Sequence, residues 1–341
     1  MAEYSHLSEL DPEIASLVAD VPQLVIDEDS LPAFRQYLTG LAIPQLVRDY
    51  EPLLPESSEY TVKDHQIDVG EGVKVLARSV IPTPRDGEAG TFPLLFWIHG
   101  GGWTVGNLHM DDYRLRIASV KLRLSVVNCQ YRLAPEHPFP AAVDDLTAAL
   151  KYVVSYPDAF SASLKKGFIV GGASAGGNLA AVLSWMARED AFFKETPLTG
   201  QFLKVPSVIH YKAIPEKYKS SLLSWEQNKD APFLPVQHVM KFLEFYNAPP
   251  ADPRVSPLLL SSHRDLPPAF LQVCGLDPLR DEAFLYEKVL KEAGVPTRLV
   301  VYPGVPHGFD AMGGFGIKQA VKSREDFNNG LQWLLEVGKS C

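Results

Sequence analysis

Gly172-Ala173-Ser174-Ala175-Gly176 is the stretch of this chain best suited to chemistry. It follows an apolar run, Phe168-Ile169-Val170, and leads into Gly177-Asn178-Leu179, where a helical pattern begins. A serine on so sharp a strand-to-helix turn stands clear of its surroundings, provided the residues two before and two after it lack side chains. Its hydroxyl then sits at a helix N-terminus, where the dipole favours developing negative charge. The string alone is weak evidence, because chance supplies it in roughly one chain in ten of this length. A phosphate-binding turn is the competing reading. No Gly-Lys-Ser/Thr follows, so a P-loop is excluded.

A second signal is His99-Gly100-Gly101-Gly102, directly after the apolar run Leu94–Ile98. Consecutive glycines let the backbone approach a ligand closely and leave N–H groups free to point at it. Such donors can hold the oxyanion of an acyl-transfer intermediate. A dinucleotide-binding loop would need a third glycine at 105, where Val105 stands, so that fingerprint fails.

A serine hydroxyl is a poor nucleophile without a base and a group that orients the base. Of nine histidines, His307 has the right setting: the rigid loop Pro303-Gly304-Val305-Pro306-His307-Gly308-Phe309, just past a strand-like run, Leu299–Tyr302. His238, in a helical stretch, and His263, in a polar loop, read as surface residues. Asp277 follows the run Phe270–Cys274 and is the expected acid. Its rivals, Asp281 and Glu282, fall in the first turn of a helix, where an acidic residue serves the dipole. Serine, acid, histidine is an established chain order for such a relay.

These residues need a frame. Continuous apolar runs at Pro93–Ile98, Leu124–Cys129, Phe168–Val170, Ala269–Cys274 and Thr297–Tyr302 suit strands buried on both faces. Helical patterns lie between or after them, near 110–122, 141–155, 176–188, 281–294 and 318–337, which implies a mostly parallel, doubly wound sheet. Alternation at 64–70 and 73–81 adds an antiparallel pair joined at Gly70-Glu71-Gly72. The expected division is 1–50 as N-terminal cap helices punctuated by Pro22, Pro32 and Pro44, 51–195 as the first part of the core, 196–250 as a cap insert, and 251–341 as the second part of the core. Ligands in open α/β sheets bind outside the carboxyl ends of the strands, so a cover there walls a pocket.

The 341 residues are 46% hydrophobic and 21% charged, which excludes disorder as the main state. The net charge of −9 argues against a nucleic-acid partner. The three cysteines, Cys129, Cys274 and Cys341, form no disulfide framework. The acidic, polar start lacks the pattern of a signal peptide, and no apolar run reaches the roughly 18 residues of a membrane span. A cytoplasmic location is expected. His65, Asp144 and Asp145 show no metal-ligand spacing, so neither a metal nor another cofactor is expected.

The chain resembles the hormone-sensitive-lipase-like branch of the α/β-hydrolases, which includes bacterial and fungal carboxylesterases and arylacetamide deacetylases. The resemblance spans about 60–337. It is carried jointly by His99-Gly100-Gly101-Gly102-Trp103, Tyr131-Arg132-Leu133-Ala134-Pro135-Glu136, Gly172-Ala173-Ser174-Ala175-Gly176-Gly177-Asn178, Asp277-Pro278-Leu279-Arg280-Asp281-Glu282 and His307-Gly308-Phe309. It implies an eight-stranded α/β-hydrolase sheet with helices on both faces and a helical cap. It implies Ser174, Asp277 and His307 as the triad, and the amides of Gly101, Gly102 and Ala175 as the oxyanion hole. Two departures stand out: Ala173 where the family usually has an acidic residue, and Val208-Ile209-His210-Tyr211-Lys212 where it tends to carry an apolar-Tyr-Pro stretch.

The expected function is hydrolysis of a small to medium, largely apolar ester through an acyl-enzyme, by a monomer or homodimer. Lactonase, amidase or deacetylase, and acyltransferase reactions would use the same residues. A non-catalytic receptor on this scaffold, like the plant gibberellin receptor, is a further alternative. Trp103, beside the glycines, and Tyr211, in the expected cap, are the substrate-binding candidates, with Phe202, Trp225, Phe233 and Phe242 as further aromatics of that cover.

Overall fold

Alternation inside the apolar runs builds the molecule. A computed structural model describes residues 4–19, 26–311 and 316–338. Its strands are β1 (Tyr60–Gly70), β2 (Val73–Pro82), β3 (Leu94–Ile98), β4 (Ser125–Cys129), β5 (Phe168–Ala173), β6 (Gly200–Lys204), β7 (Ala269–Leu276) and β8 (Thr297–Pro306). They form one sheet in the order β1-β2-β4-β3-β5-β6-β7-β8. β2 runs antiparallel to both its neighbours, and the pairings from β4 to β8 are parallel.

The α-helices are α1 (Pro12–Ala19), α2 (Leu31–Tyr37), α3 (Ile43–Tyr50), α4 (Asp112–Leu122), α5 (Ala141–Ser155), α6 (Ala175–Glu189), α7 (Glu216–Lys219), α8 (Ser224–Gln227), α9 (Val236–Tyr246), α10 (Arg280–Glu292) and α11 (Lys318–Val337). One π-helical turn, Leu38–Ala42, joins α2 to α3.

Successive side chains of a strand point to opposite faces. In β3, Leu94, Phe96 and Ile98 pack into the core shared with α5, α6 and α10, while Leu95 and Trp97 pack into the core shared with α4 and α11. Both faces are therefore apolar and both are covered, as expected of continuous runs.

Two expected boundaries change. The cap insert does not start at 196, because Gly200–Lys204 is a fully interior strand between β5 and β7. Gln201 and Lys204 broke its apolar run and hid it. Nor do residues 1–50 act as one cover. Ser5–Ala19 packs against β8 instead: the Asp11 amide donates to the Gly304 carbonyl at 2.9 Å, and Ile14 joins Tyr302, Val305 and Phe309 in a small core. Residues 31–50 do reach the carboxyl ends of the strands. Pro22 and Cys341 lie outside the described residues. His238 and His263 are both buried rather than at the surface.

Candidate active site

The turn after β5 is made by crowding. A Cβ on Gly172 would lie 2.3 Å from the Gly176 carbonyl oxygen, and one on Gly176 would lie 2.2 Å from that of Ile98. With both side chains absent, Ser174 caps α6 at φ 56° and ψ −118°, a conformation that L residues avoid and that persists only where the surroundings enforce it. The Ser174 amide donates to the Lys204 carbonyl at 2.8 Å, fixing the turn to the end of β6.

Two further strand ends deliver the partners. Asp277 stands just past β7, 1% exposed, and its Oδ1 accepts from the Leu279 amide at 2.9 Å. Its other oxygen, Oδ2, accepts from His307 Nδ1 at 2.7 Å. His307 Nε2 lies 2.9 Å from Ser174 Oγ. With the carboxylate holding the proton on Nδ1, Nε2 is left as the acceptor for the serine hydroxyl. That is the arrangement that lets an imidazole take the proton of an attacking alcohol. The Asn228 side-chain amide donates to the Asp277 carbonyl at 2.9 Å and steadies this corner from the cover.

The glycine loop is held as firmly. Gly101 has φ 110°, and a Cβ there would lie 2.1 Å from the Val105 carbonyl oxygen. The Tyr131 hydroxyl donates to the His99 carbonyl at 3.1 Å, and the Ala134 amide to that of Trp103 at 2.9 Å. Arg35 of α2 donates to the carbonyls of Thr104 and Ala134 and pairs with Glu136. The Tyr131–Glu136 motif thus acts as a buttress for the glycine loop. Burial keeps the His99 imidazole below its ordinary pKa, and its ring stacks on Tyr131, so it supports the loop as a neutral side chain. Among the described residues, the amides of Gly101 and Gly102 donate no turn or loop hydrogen bond. Ala175 is the first residue of α6, where an amide has no helical acceptor.

These amides, Ser174 and His307 border one cavity of about 190 Å³. Phe34, Leu38, Ala42, Ile43 and Leu46 wall it from residues 31–50, and Phe233, Leu234, Val239 and Phe242 from the later cover. Trp103 lines it, with its indole stacked 4.6 Å from the Tyr246 ring at 5°. Tyr211 does not line it. The stretch following β6 is Val205-Pro206-Ser207, and Tyr211 lies beyond it, against His210 and Trp225. Of the five cap aromatics, Phe233 and Phe242 face the cavity, whereas Phe202 is in the core beneath the sheet with Trp97 and Phe270.

Asp281 and Glu282 do more than serve a dipole. Asp281 accepts from the Leu223 and Ser224 amides, each at 2.8 Å, and Glu282 from the Val208 amide at 2.7 Å, so α10 grips the cover from below. Sequence reasoning also missed four charged residues on the cavity wall: Asp111, Arg114, Lys204 and Asp310. A lysine ending an apolar run and an aspartate three places after His307 were the available signals. Cys129 and Cys274 are buried free thiols, with burial pushing both pKa values up. Among the described residues no group of three His, Cys, Asp or Glu could hold a metal, and no helix is long and apolar enough to cross a membrane.

A family model described as alpha/beta hydrolase fold matches residues 95–311. The crystal structure of a vibralactone cyclase is 43% identical, with a TM-score of 0.93 over 98% of this chain and 97% of that one. A versiconal hemiacetal acetate esterase of Dothistroma septosporum is 37% identical over 75% of this chain and 77% of its own. The esterase LipI of Mycobacterium tuberculosis is 33% identical over 96% of this chain and 95% of its own.

Proposed function

The chain belongs to the alpha/beta hydrolase fold family, in its hormone-sensitive-lipase-like branch, and from that premise we propose that it cleaves a small to medium, largely apolar ester through an acyl-enzyme on Ser174. Carboxylic ester hydrolysis is the reaction class of the family members it is similar to. One observation carries the assignment of residues: the unbroken relay from Asp277 through His307 to Ser174, at 2.7 and 2.9 Å.

In this mechanism His307 Nε2 takes the hydroxyl proton as Ser174 Oγ bonds to the acyl carbon. Asp277 holds the ring's tautomer and stabilises its charged form. The amides of Gly101, Gly102 and Ala175 receive the oxyanion, each such donor being worth about 3–4 kcal/mol of barrier. The tetrahedral intermediate collapses, the ester C–O bond breaks, and His307 returns its proton to the leaving alcohol. Water, deprotonated by the same imidazole, then attacks the acyl-enzyme and releases the acid. Trp103 and the apolar walls hold the chain of the substrate.

The test is hydrolysis of 4-nitrophenyl acetate by Ser174→Ala. Turnover is expected to fall by at least ~10⁴. Unchanged hydrolysis by the purified variant removes Ser174 from the reaction.

The likeness to a vibralactone cyclase over nearly the whole chain favours a second reading, in which a hydroxyl rather than water intercepts the acyl-enzyme. Product analysis with added alcohol acceptors separates the two: hydrolysis yields the free acid, and transfer yields a new ester or a lactone.

A further inference from the structure

Ser174 follows β5 and His307 follows β8, three places away in the sheet. Among the described residues no strand pairing joins those two strands, so the sheet ladder alone does not set the distance between nucleophile and base. Asp277 and the pairing of Leu276 with Pro306 tie the His307 loop to β7, not to the Ser174 turn.

Lys204 is bonded to both. It ends β6, pairs with Ala173 across the sheet, and its carbonyl accepts the Ser174 amide at 2.8 Å. Its Nζ donates to Asp310 Oδ2 at 2.5 Å. Asp310 follows His307 by three residues in a tight loop, where the Phe309 amide donates to the Pro306 carbonyl at 3.2 Å and the Ala311 amide to that of Gly308 at 2.9 Å. One residue thus spans from the turn that carries the nucleophile to the loop that carries the base.

The span is stiff. Lys204 is 5% exposed and Asp310 1%. Burial pushes the Asp310 carboxyl up, but Lys204 and Arg114 outweigh it and hold the group well below its usual range, so it is a carboxylate. Ser323 Oγ of α11 donates to the same Oδ2 at 3.0 Å, and Arg114 of α4 lies 3.5 Å from it. Arg114 also pairs with Asp111, whose Oδ2 accepts from the Trp97 indole N–H at 2.9 Å. Buried ions tolerate little displacement, because only close geometry offsets their lost hydration.

We propose that Lys204 is a positioning residue of the reaction, holding the His307 loop at its working distance from the Ser174 turn through Asp310. This role presupposes the ester-cleaving relay of Ser174 and His307. Lys204 and Asp310 both line the cavity, so direct contact with substrate is the competing role, and the two roles differ in what they do to kcat and KM.

The test is the double variant Lys204→Met/Asp310→Leu. It removes one cation and one anion, leaves Arg114 paired with Asp111, and puts apolar side chains of similar volume in their place, a kind of exchange that folds well elsewhere. With 4-nitrophenyl esters, well below the melting transition and per folded chain, kcat is expected to fall by about 10- to 100-fold, the scale of a small misplacement of reacting groups. KM should stay within about 3-fold. Labelling of Ser174 by a fluorophosphonate, which needs the same base, should slow in parallel. A folded variant with wild-type kcat, whatever its melting temperature, shows a purely structural pair and overturns the inference. A raised KM with unchanged kcat shows substrate contact and also overturns it. If the double variant does not fold, Lys204→Met, which leaves Asp310 with Arg114 and Ser323, is read in the same way. If neither folds, the pair is a requirement of the fold rather than of the reaction, and the inference fails. A wild-type protein that turns over no ester overturns the Ser174 assignment and this inference with it, whereas an unaffected variant of an active wild type overturns this inference alone.

Discussion

Around Ser174 the main chain sets the geometry, while at the Asp310 end of the same cavity side chains from four different elements do so. At the first end a serine at positive φ, glycines that leave no room for side chains, the head of α6 and the loop Gly100–Gly102 fix where a hydroxyl and three amides stand. At the second, Lys204 from β6, Arg114 from α4, Ser323 from α11 and Asp310 from the His307 loop meet only after the sheet and the helix layer of α4 and α11 are assembled. Backbone-built geometry demands particular residues at particular spacings. Side-chain-built geometry can be reached from many sequences.

The hardest test of that contrast is at the main-chain end. Gly101→Ala puts a Cβ within 2.1 Å of the Val105 carbonyl oxygen at a backbone angle that favours glycine, so the loop must shift and move its amides. We expect kcat to fall by about 10²–10³ with little change in KM, as for the loss of an oxyanion donor. An Ala variant with wild-type kcat would show that the loop's amides are not in the reaction.

A smaller effect probes how the cover is held to the core. Burial pushes the Glu282 carboxyl up to about 8 from an ordinary value of 4.5. The folded state therefore keeps a proton that the unfolded chain releases, and stability from this group is fullest below pH 4.5 and is lost as pH rises toward 8. Glu282→Gln keeps an oxygen for the Val208 amide and cannot titrate. Its melting temperature should fall less between pH 5 and pH 8 than that of the wild type, by several degrees. Parallel melting curves across that range would contradict the assignment.

The same division explains what could be read before folding. Gly172, Gly176 and Gly100–Gly102 were legible because they stand at recognisable spacings just past strand-like runs, although the atoms that exclude a side chain at Gly100, Gly102 and Gly176 come from elsewhere in the chain; five apolar runs and one alternating pair marked seven of the eight strands. His307 and Asp277 were legible because each follows a strand end. β6 was obscured by Gln201 and Lys204, which are buried and satisfied by distant partners: Gln201 donates to the Pro267 carbonyl, and Lys204 pairs with Asp310. Tyr211 packs against His210 and Trp225 and does not line the cavity, because the stretch that directly follows β6 is Val205-Pro206-Ser207. Asp281 and Glu282 looked like dipole partners, since nothing in the sequence tells which loop amides will arrive above α10.

If Ser174 forms the acyl-enzyme, a fluorophosphonate probe followed by intact-mass readout will find it. One adduct per chain is expected, mapped to the peptide containing Ser174, with ester turnover falling in step with labelling. Full turnover after complete labelling, or an adduct on another residue in an inactivated enzyme, would contradict it.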